Sequence, residues 1–165
     1  MMASNMVMMH INKREDIYNF KETFKKKDKK ELKKYIEWLM PKGSKIKVKF
    51  SKDDDFFASY DEYEDKHGSE HIFSFYCGET PRSVVWHEVG HYYSYGEYEA
   101  SMWGVNKAME RGYYKLVEEM YYLYCSCAYR LELKGKDYYY YYQLPQFKRL
   151  CRDIKKRLRN ETGRI

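Results

Sequence analysis

Two histidines and a glutamate form the part of this sequence with the clearest chemical meaning. The pentapeptide HEVGH, residues 87–91, places His87 and His91 four positions apart. On a helix, side chains four residues apart lie on one face, so a single cation can take a nitrogen from each imidazole. A catalytic zinc typically has three protein ligands and a water molecule whose pKa it lowers. Glu88 is rotated from His87 by about 100° and can accept a proton from that water, so the pattern predicts a zinc centre with Glu88 as general base.

The residues around the motif favour this interpretation over two histidines that merely lie in the core or on the surface. The neighbouring positions are all uncharged: Val84, Val85, Trp86, Val89, Gly90, Tyr92 and Tyr93. They predict a helix that is buried on most sides, where an unpaired histidine or glutamate would be costly.

Two glutamates that follow the motif are candidates for the third ligand, Glu97 and Glu99. Small residues recur after them at four-residue spacing, at Ala100, Gly104 and Ala108. Such a stripe allows another helix to approach closely, and Gly90, which has no side chain, gives the HEVGH helix a matching point of close contact. Glu97 points along the stripe, whereas Glu99 lies about 200° away on the helix. The spacing therefore favours Glu97, with Glu99 as the alternative.

Other polar residues have weaker claims to the site. Ser101, one turn after Glu97, could donate or accept a hydrogen bond that orients a ligand histidine. His10, His67 and His71 have no partner at metal-ligand spacing. Cys125 and Cys127 point about 200° apart on a helix, so free thiols are the better interpretation for them.

The elements before the motif alternate in hydrophobicity. Residues 45–51, KIKVKFS, and residues 71–78, HIFSFYCG, have the period of half-buried strands, and the acidic stretch between them is interpreted as a loop. Residues 13–40 carry apolar side chains at helical spacing and predict one long or broken basic helix.

The elements from Thr80 onward are predicted to be helical. Thr80 is the candidate N-cap, with Pro81 at the first helical position. Gly96, Gly112 and Gly135 divide the chain into helices at about residues 81–95, 97–111 and 113–133. A last helix directs these residues inward: Phe147, Leu150, Cys151, Ile154 and Leu158.

Length and composition limit the architecture. With 165 residues, 44% of them hydrophobic, the chain suits one domain with one core. We expect a mainly helical α+β domain over residues 1–165, with a two- to three-stranded sheet beside the HEVGH helix, a core at about residues 44–133, and basic helices at both ends. The four cysteines are scattered, and no run is apolar enough to cross a membrane, so a cytoplasmic protein is predicted.

The sequence HEVGH followed by EYEASMW resembles the zincin metallopeptidases. Within them it is similar to the compact ImmA/IrrE-type domains of bacteria, phages and mobile elements, in which a glutamate that opens the next helix completes the site in an E-x-x-A arrangement. The resemblance covers residues 73–112. It implies zinc bound by His87, His91 and Glu97, with Glu88 as general base.

The implied activity is hydrolysis of peptide bonds in an intracellular protein. By resemblance, the strand before the active helix holds the substrate in extended form, so the free edge of residues 71–78 would pair with the peptide. A tyrosine often stabilises the oxyanion in such enzymes. Five tyrosines are candidates for that role, although each could simply be packing: Tyr92, Tyr93, Tyr95, Tyr113 and Tyr114.

Two other functions fit parts of the sequence. Residues 21–34 contain eight lysines against three acids, and the last helix carries seven basic residues, which together with clustered tyrosines would suit a nucleic-acid-binding protein. Solvated helix faces are the favoured explanation of the same basic residues. A zinc-containing domain that binds a partner without turnover is the third alternative, and Glu88 argues against it because a structural site needs no base.

Overall fold

The computed structural model describes residues 21–52 and 57–163 and shows a mainly helical α+β fold. The helices in these ranges are α1 (Lys29–Leu39), α2 (Arg82–Tyr93), α3 (Glu97–Glu110), α4 (Tyr114–Lys134) and α5 (Leu144–Thr162). The strands are β1 (Thr23–Lys25), β2 (Ile46–Phe50), β3 (Ala58–Asp65), β4 (Gly68–Phe75) and β5 (Glu79–Pro81). Short 3-10 turns occupy Lys26–Asp28 and Tyr141–Gln143. The predicted fold class is confirmed.

Strands β2, β4 and β3 form a three-stranded sheet in that order. Strand β4 is central, parallel to β2 and antiparallel to β3. The two remaining strands, β1 and β5, form a separate antiparallel pair. Strand β3 is the edge strand that packs beside α2, the helix of the HEVGH motif.

The sequence predicts a loop over the acidic stretch, but residues 58–65 of it form strand β3, so the prediction is wrong there, and residues 53–56 lie outside the described ranges. The strand shows no hydrophobic alternation because it is exposed over most of its length. It is stabilised by pairing with β4 along its whole length and by the ring of Tyr60, which packs on Phe73 with ring centroids 5.0 Å apart. Residues 71–75 of the predicted substrate-binding strand belong to β4. Because β4 is paired with β2 on one side and β3 on the other, it has no free edge for a peptide.

The predicted helix over residues 13–40 is also partly wrong. Its first residues lie outside the described ranges, and Phe24 belongs to β1 rather than to a helix. The carboxylate of Asp28 accepts a hydrogen bond from the backbone N–H of Lys25 at 2.9 Å, which closes a turn between β1 and α1. Phe24 is still buried, so its apolar character reflects the core and not a helix face.

The start of α2 differs slightly from expectation. Thr80 is no N-cap, because it lies in β5, and the helix begins at Arg82 after the extended Pro81. The backbone N–H of Arg82 donates to the carbonyl of Glu22 at 2.8 Å, and its buried guanidinium donates to Glu119 on α4 through Nε at 2.9 Å. The helix that carries both histidines is therefore tied to the N-terminal segment and to α4.

The core receives buried side chains from all five described helices, including Leu32, Val85, Val105, Leu116 and Leu150. The inward positions predicted for the last helix are confirmed at Phe147, Leu150, Ile154 and Leu158, whereas Cys151 is half-buried. Among the described residues, no helix is sufficiently long and apolar to span a membrane.

Candidate metal centre

Helices α2 and α3 pack in direct backbone contact at Gly90. A Cβ atom at that position would lie 2.1 Å from the carbonyl oxygen of Ala100, so no side chain fits there. One turn further along α3, Gly104 faces Trp86, whose Cβ and carbonyl oxygen are 3.7 Å from the place of a Cβ on Gly104. The small-residue stripe therefore faces the HEVGH helix, as predicted, and the contact brings the start of α3 to the histidines.

Three side chains converge where a metal would bind. Nε2 of His87 and Nε2 of His91 lie 3.1 Å apart. The carboxylate of Glu97 is 2.9 Å from His87 Nε2 through Oε2 and 3.6 Å from His91 Nε2 through Oε1. Ligands at about 2.0–2.1 Å from a tetrahedral zinc are about 3.3 Å from one another. The donor types and their separations thus fit the ligand triangle of such an ion.

Glu99 lies elsewhere. Its side chain is exposed, and its carboxylate sits beside the backbone of Gly96. Of the two glutamates that the sequence leaves as alternatives, the structure brings Glu97 to the histidine pair. The positive φ of Gly96, 86°, makes the sharp connection that lets Glu97 open α3 so close to α2.

Ser101 orients His87. Its hydroxyl donates to the carbonyl oxygen of Glu97 at 2.7 Å, so its lone pairs are left for His87 Nδ1 at 2.8 Å. A serine hydroxyl has one proton, and His87 must therefore donate from Nδ1. When the ring is neutral, this leaves the lone pair of His87 on Nε2, the atom that faces His91 and Glu97.

The electrostatics of the cluster favour a positive charge between its members. Burial alone would raise the pKa of Glu97, but the hydrogen bonds to His87 and His91 outweigh it and hold that pKa far below its usual range. Burial alone would lower the pKa of His87, and the hydrogen bond to Glu97 and the charge of Glu88 raise it instead. A cation at the same place would receive the same stabilisation.

Glu88 completes the group from the other side. One of its carboxylate oxygens and a ring nitrogen from each of His87 and His91 all lie within 4.8 Å of one another. The side chain is 6% exposed, and this burial raises its pKa, an effect that the two histidines partly oppose. A carboxylate with a raised pKa next to the metal position is suited to take up and release a proton.

The cluster lies in a cleft of about 610 Å³. One wall is β3, from which Ala58, Ser59, Tyr60 and Glu62 contribute. The opposite wall consists of α4 and the segment after it, with the side chains of Leu123, Tyr124, Cys127, Arg130, Leu131, Tyr138, Tyr140, Gln143 and Phe147.

The five tyrosines proposed from the sequence separate into two groups. Tyr92 and Tyr95 line the cleft. Tyr93 instead stacks on Trp103 and donates to the carbonyl of Leu39 at 2.8 Å. Tyr113 packs against Trp86, and Tyr114 packs against the core; neither is among the residues that line the cleft.

Two tyrosines that sequence reasoning missed also line the cleft. Tyr60 lines the cleft, and its hydroxyl is 2.7 Å from Nδ1 of the buried His71. Tyr124 packs edge-on against the ring of His87, with centroids 5.9 Å apart, and its buried hydroxyl has no hydrogen-bond partner among the described residues. The sequence did not indicate them, because Tyr60 falls in the stretch predicted as a loop and Tyr124 lies on α4, two helices after the HEVGH helix.

The cysteines behave as predicted for free thiols. Cys125 points toward α5, where its sulfur lies 3.1 Å from that of Cys151. Cys127 points the other way into the cleft, and burial raises its pKa to about 12. It is therefore a neutral part of the cleft wall at physiological pH.

Comparison with known proteins adds no relative to this picture. No family model, no curated protein and no solved structure matches the chain. The metal centre must accordingly be judged on its own geometry.

Proposed function

We propose that this protein is a zinc-dependent metallopeptidase of the HExxH type that hydrolyses peptide bonds of an intracellular protein. The observation that carries the proposal is the triangle formed by His87, His91 and Glu97, with the carboxylate of Glu88 beside it in an open cleft. Structural zinc sites are usually closed by four protein ligands, whereas this group lies open to a cleft, as a catalytic site does.

In the proposed reaction, bound zinc supplies a Lewis acid that polarises the scissile carbonyl and lowers the pKa of the attacking water. Glu88 takes the proton from that water as it attacks and later gives it to the leaving amine. Ser101 keeps His87 in the tautomer that presents Nε2 to the cation.

The proposed place for the peptide backbone is the outer edge of β3. That strand pairs with β4 on one side, and among the described residues no strand pairs with the other side. Ser59 and Tyr60 are consecutive residues of the strand, so their side chains point to opposite faces of the sheet. Both nevertheless line the cleft, as expected where a strand borders a cleft with its edge. An extended peptide can add to such an edge through main-chain hydrogen bonds.

The nucleic-acid alternative gains little from the structure. Several basic side chains on α5 are engaged in ion pairs within the fold: Lys148 with Glu132, Arg149 with Asp153, and Arg157 with Glu161. These contacts match the interpretation of solvated, partly neutralised helix faces.

Metal analysis and three substitutions test the proposal. Protein purified without a histidine tag should contain about one zinc per chain, and His87→Ala and His91→Ala should lose it. Glu88→Gln should keep the zinc and the fold, and its rate of peptide hydrolysis should fall by about 100- to 10,000-fold. A wild-type protein that binds no divalent metal would refute the central claim. Full activity of Glu88→Gln would point to another base, and zinc without any hydrolysis would favour the structural alternative.

A further inference from the structure

We infer that Cys125 and Cys151 are a redox-active pair that forms a reversible disulfide by exchange with a small-molecule disulfide such as oxidised glutathione. The bond joins α4 to α5 directly behind the wall of the cleft. Its formation needs neither a bound metal nor the proposed peptidase activity, so the pair is a covalent modification site separate from the candidate metal centre.

The sulfur atoms of the two cysteines already lie close to bonding distance. Sγ of Cys125 and Sγ of Cys151 are 3.1 Å apart, whereas the sulfur atoms of a disulfide are about 2.05 Å apart. Helices α4 and α5 pack against each other, so the two helices hold these sulfur atoms as neighbours. The remaining approach of about 1 Å requires only small rotations of the two side chains.

A small reagent can reach the pair. Both cysteines are half-buried, and a disulfide reagent has to contact only one sulfur atom to start the exchange. The hydroxyl of Tyr121 lies beside them and stays protonated, because burial and a hydrogen bond with Cys125 raise its pKa. A hydroxyl donor in this position stabilises negative charge on a sulfur atom that attacks or leaves.

The other two cysteines lie in different surroundings. Cys127 points into the cleft and not toward α5, and burial raises its pKa to about 12. Cys77 is exposed in the connection between β4 and β5. Cys125 and Cys151 are therefore the two thiols that the fold brings together.

Metal binding does not explain the pair. Structural zinc sites usually take four protein ligands, and two thiols supply only half of that number. Among residues 21–52 and 57–163, the candidate ligands that come together as a group are His87, Glu88 and His91, and that group contains no cysteine. Oxidation to a disulfide is the reaction that two neighbouring thiols undergo without a further ligand.

The exchange proceeds in two steps. One cysteine, as its thiolate, attacks a sulfur atom of oxidised glutathione; a mixed disulfide forms, and the first glutathione leaves as a thiolate. The other cysteine, as its thiolate, attacks the protein sulfur of the mixed disulfide and expels the second glutathione. The two leaving thiolates take up the two protons that the cysteines release. Two protein thiols are thereby oxidised, one oxidised glutathione is reduced to two glutathione molecules, and excess thiol reverses both steps.

The bond acts on the cleft wall through the residues next to it. Tyr124 directly precedes Cys125, and Phe147 lies one helical turn before Cys151. The rings of Tyr124 and Phe147 stack with centroids 6.2 Å apart, and both residues line the cleft. A disulfide between α4 and α5 therefore fixes the separation of the two helices at the point where they form the wall.

Peptide mapping tests where the bond forms. The folded protein is incubated with oxidised glutathione, the remaining thiols are blocked with iodoacetamide, and the digest is analysed by mass spectrometry without reduction. We expect the peptide that carries Cys125 to be linked to the peptide that carries Cys151, and dithiothreitol should separate them. Absence of this link, or a link from Cys151 to Cys127, would overturn the inference.

Serine variants distinguish the pair from its neighbour on α4. Cys125→Ser should abolish the link and leave Cys151 as a mixed disulfide with glutathione. Cys127→Ser is the matched control, because it removes a thiol only two residues away that points into the cleft, and it should retain the link. A link that persists in Cys125→Ser and is lost in Cys127→Ser would assign the wrong thiol to the pair and refute it.

Thermal unfolding tests whether the bond fits the folded helices. A disulfide that closes a loop of about 25 residues restricts the unfolded chain, so the Tm of the oxidised wild type should be about 5 to 15 °C above that of the reduced protein. Both forms are measured at the same zinc concentration, and Cys125→Ser treated in the same way should show no such increase. A Tm that falls or stays constant when the link forms would mean that the bond does not fit the packing of α4 on α5, contrary to the inference.

Discussion

The two sides of the candidate site are held together in different ways. On the metal side, α2 and α3 meet backbone to backbone at Gly90 and Ala100, and every candidate ligand comes from residues 87–97. On the cleft side, β3 faces α4 across large side chains such as Leu123 and Tyr138. The close backbone contact on the metal side leaves little room for its distances to change, whereas the side chains on the cleft side can adapt their positions. We expect substitutions on the metal side to have abrupt effects and those on the cleft side to have graded ones.

The largest effect is expected for Gly90→Ala. A single methyl group would have to displace the backbone of Ala100, so we expect a loss of at least about 3 kcal/mol in the free energy of unfolding together with weaker zinc binding. Gly104→Ala is the matched control, because its nearest neighbour is the flexible end of Met120 at 3.3 Å. Urea denaturation of both variants tests the contrast, and equal stability losses would mean that the two helices are not in contact as described.

The next effect concerns the third ligand. Glu97→Ala should weaken zinc binding by more than about 100-fold, since it removes a ligand rather than a residue that supports one. Glu99→Ala should bind zinc like the wild type because that side chain is exposed and directed away from the histidines. Titration against a chelator of known affinity measures both. Loss of zinc in Glu99→Ala alone would show that α3 is rotated from the orientation described here.

A smaller effect is expected for Ser101→Ala. The variant retains all three candidate ligands but loses the hydroxyl that accepts the proton of His87 Nδ1. Loss of such a supporting hydrogen bond typically lowers metal affinity by about 10- to 100-fold. Ser101→Thr retains a hydroxyl and should recover part of the affinity. Unchanged affinity in the alanine variant would mean that the hydrogen bond does not orient the histidine.

The smallest effect is expected for Tyr124→Phe on the cleft side. Its buried hydroxyl has no partner among the described residues, so removal should leave the free energy of unfolding unchanged or raise it by up to about 1 kcal/mol. Tyr35→Phe is the contrasting control, because the hydroxyl of Tyr35 accepts a hydrogen bond from Nε1 of Trp86 at 2.8 Å and its loss should destabilise the protein. Denaturation curves decide. A loss in Tyr124→Phe as large as in Tyr35→Phe would reveal a partner for the first hydroxyl.

The same contrast explains what the sequence could predict. The positions of His87, His91 and Glu97 follow from helical geometry within one stretch of chain, and the small residues that allow close packing are visible at fixed spacing. Gly96 and Gly112 also mark the ends of α3 correctly because their positive φ angles interrupt a helix.

The cleft side could not be predicted in this way. Tyr60, Arg130 and Phe147 come from three elements far apart in the chain, and no local pattern indicates that they share a wall. Strand β3 carries charges at half of its positions, so its sequence lacks the hydrophobic alternation by which strands are recognised. Phe24 shows the opposite error: an apolar residue at helical spacing joined a strand because its hydrogen-bond partner, β5, lies much later in the sequence.

That late partner has a consequence for how the molecule assembles on the ribosome. Strand β1 leaves the exit tunnel long before Thr80 and Pro81, with which Phe24 and Thr23 pair. The two helices of the metal side, by contrast, are synthesised one directly after the other. Local contacts of this kind form early, and pairings between distant segments form late. The strand pair in front of α2 is therefore expected to close after the metal side has formed, which makes the N-terminal segment the last part to be secured rather than the first.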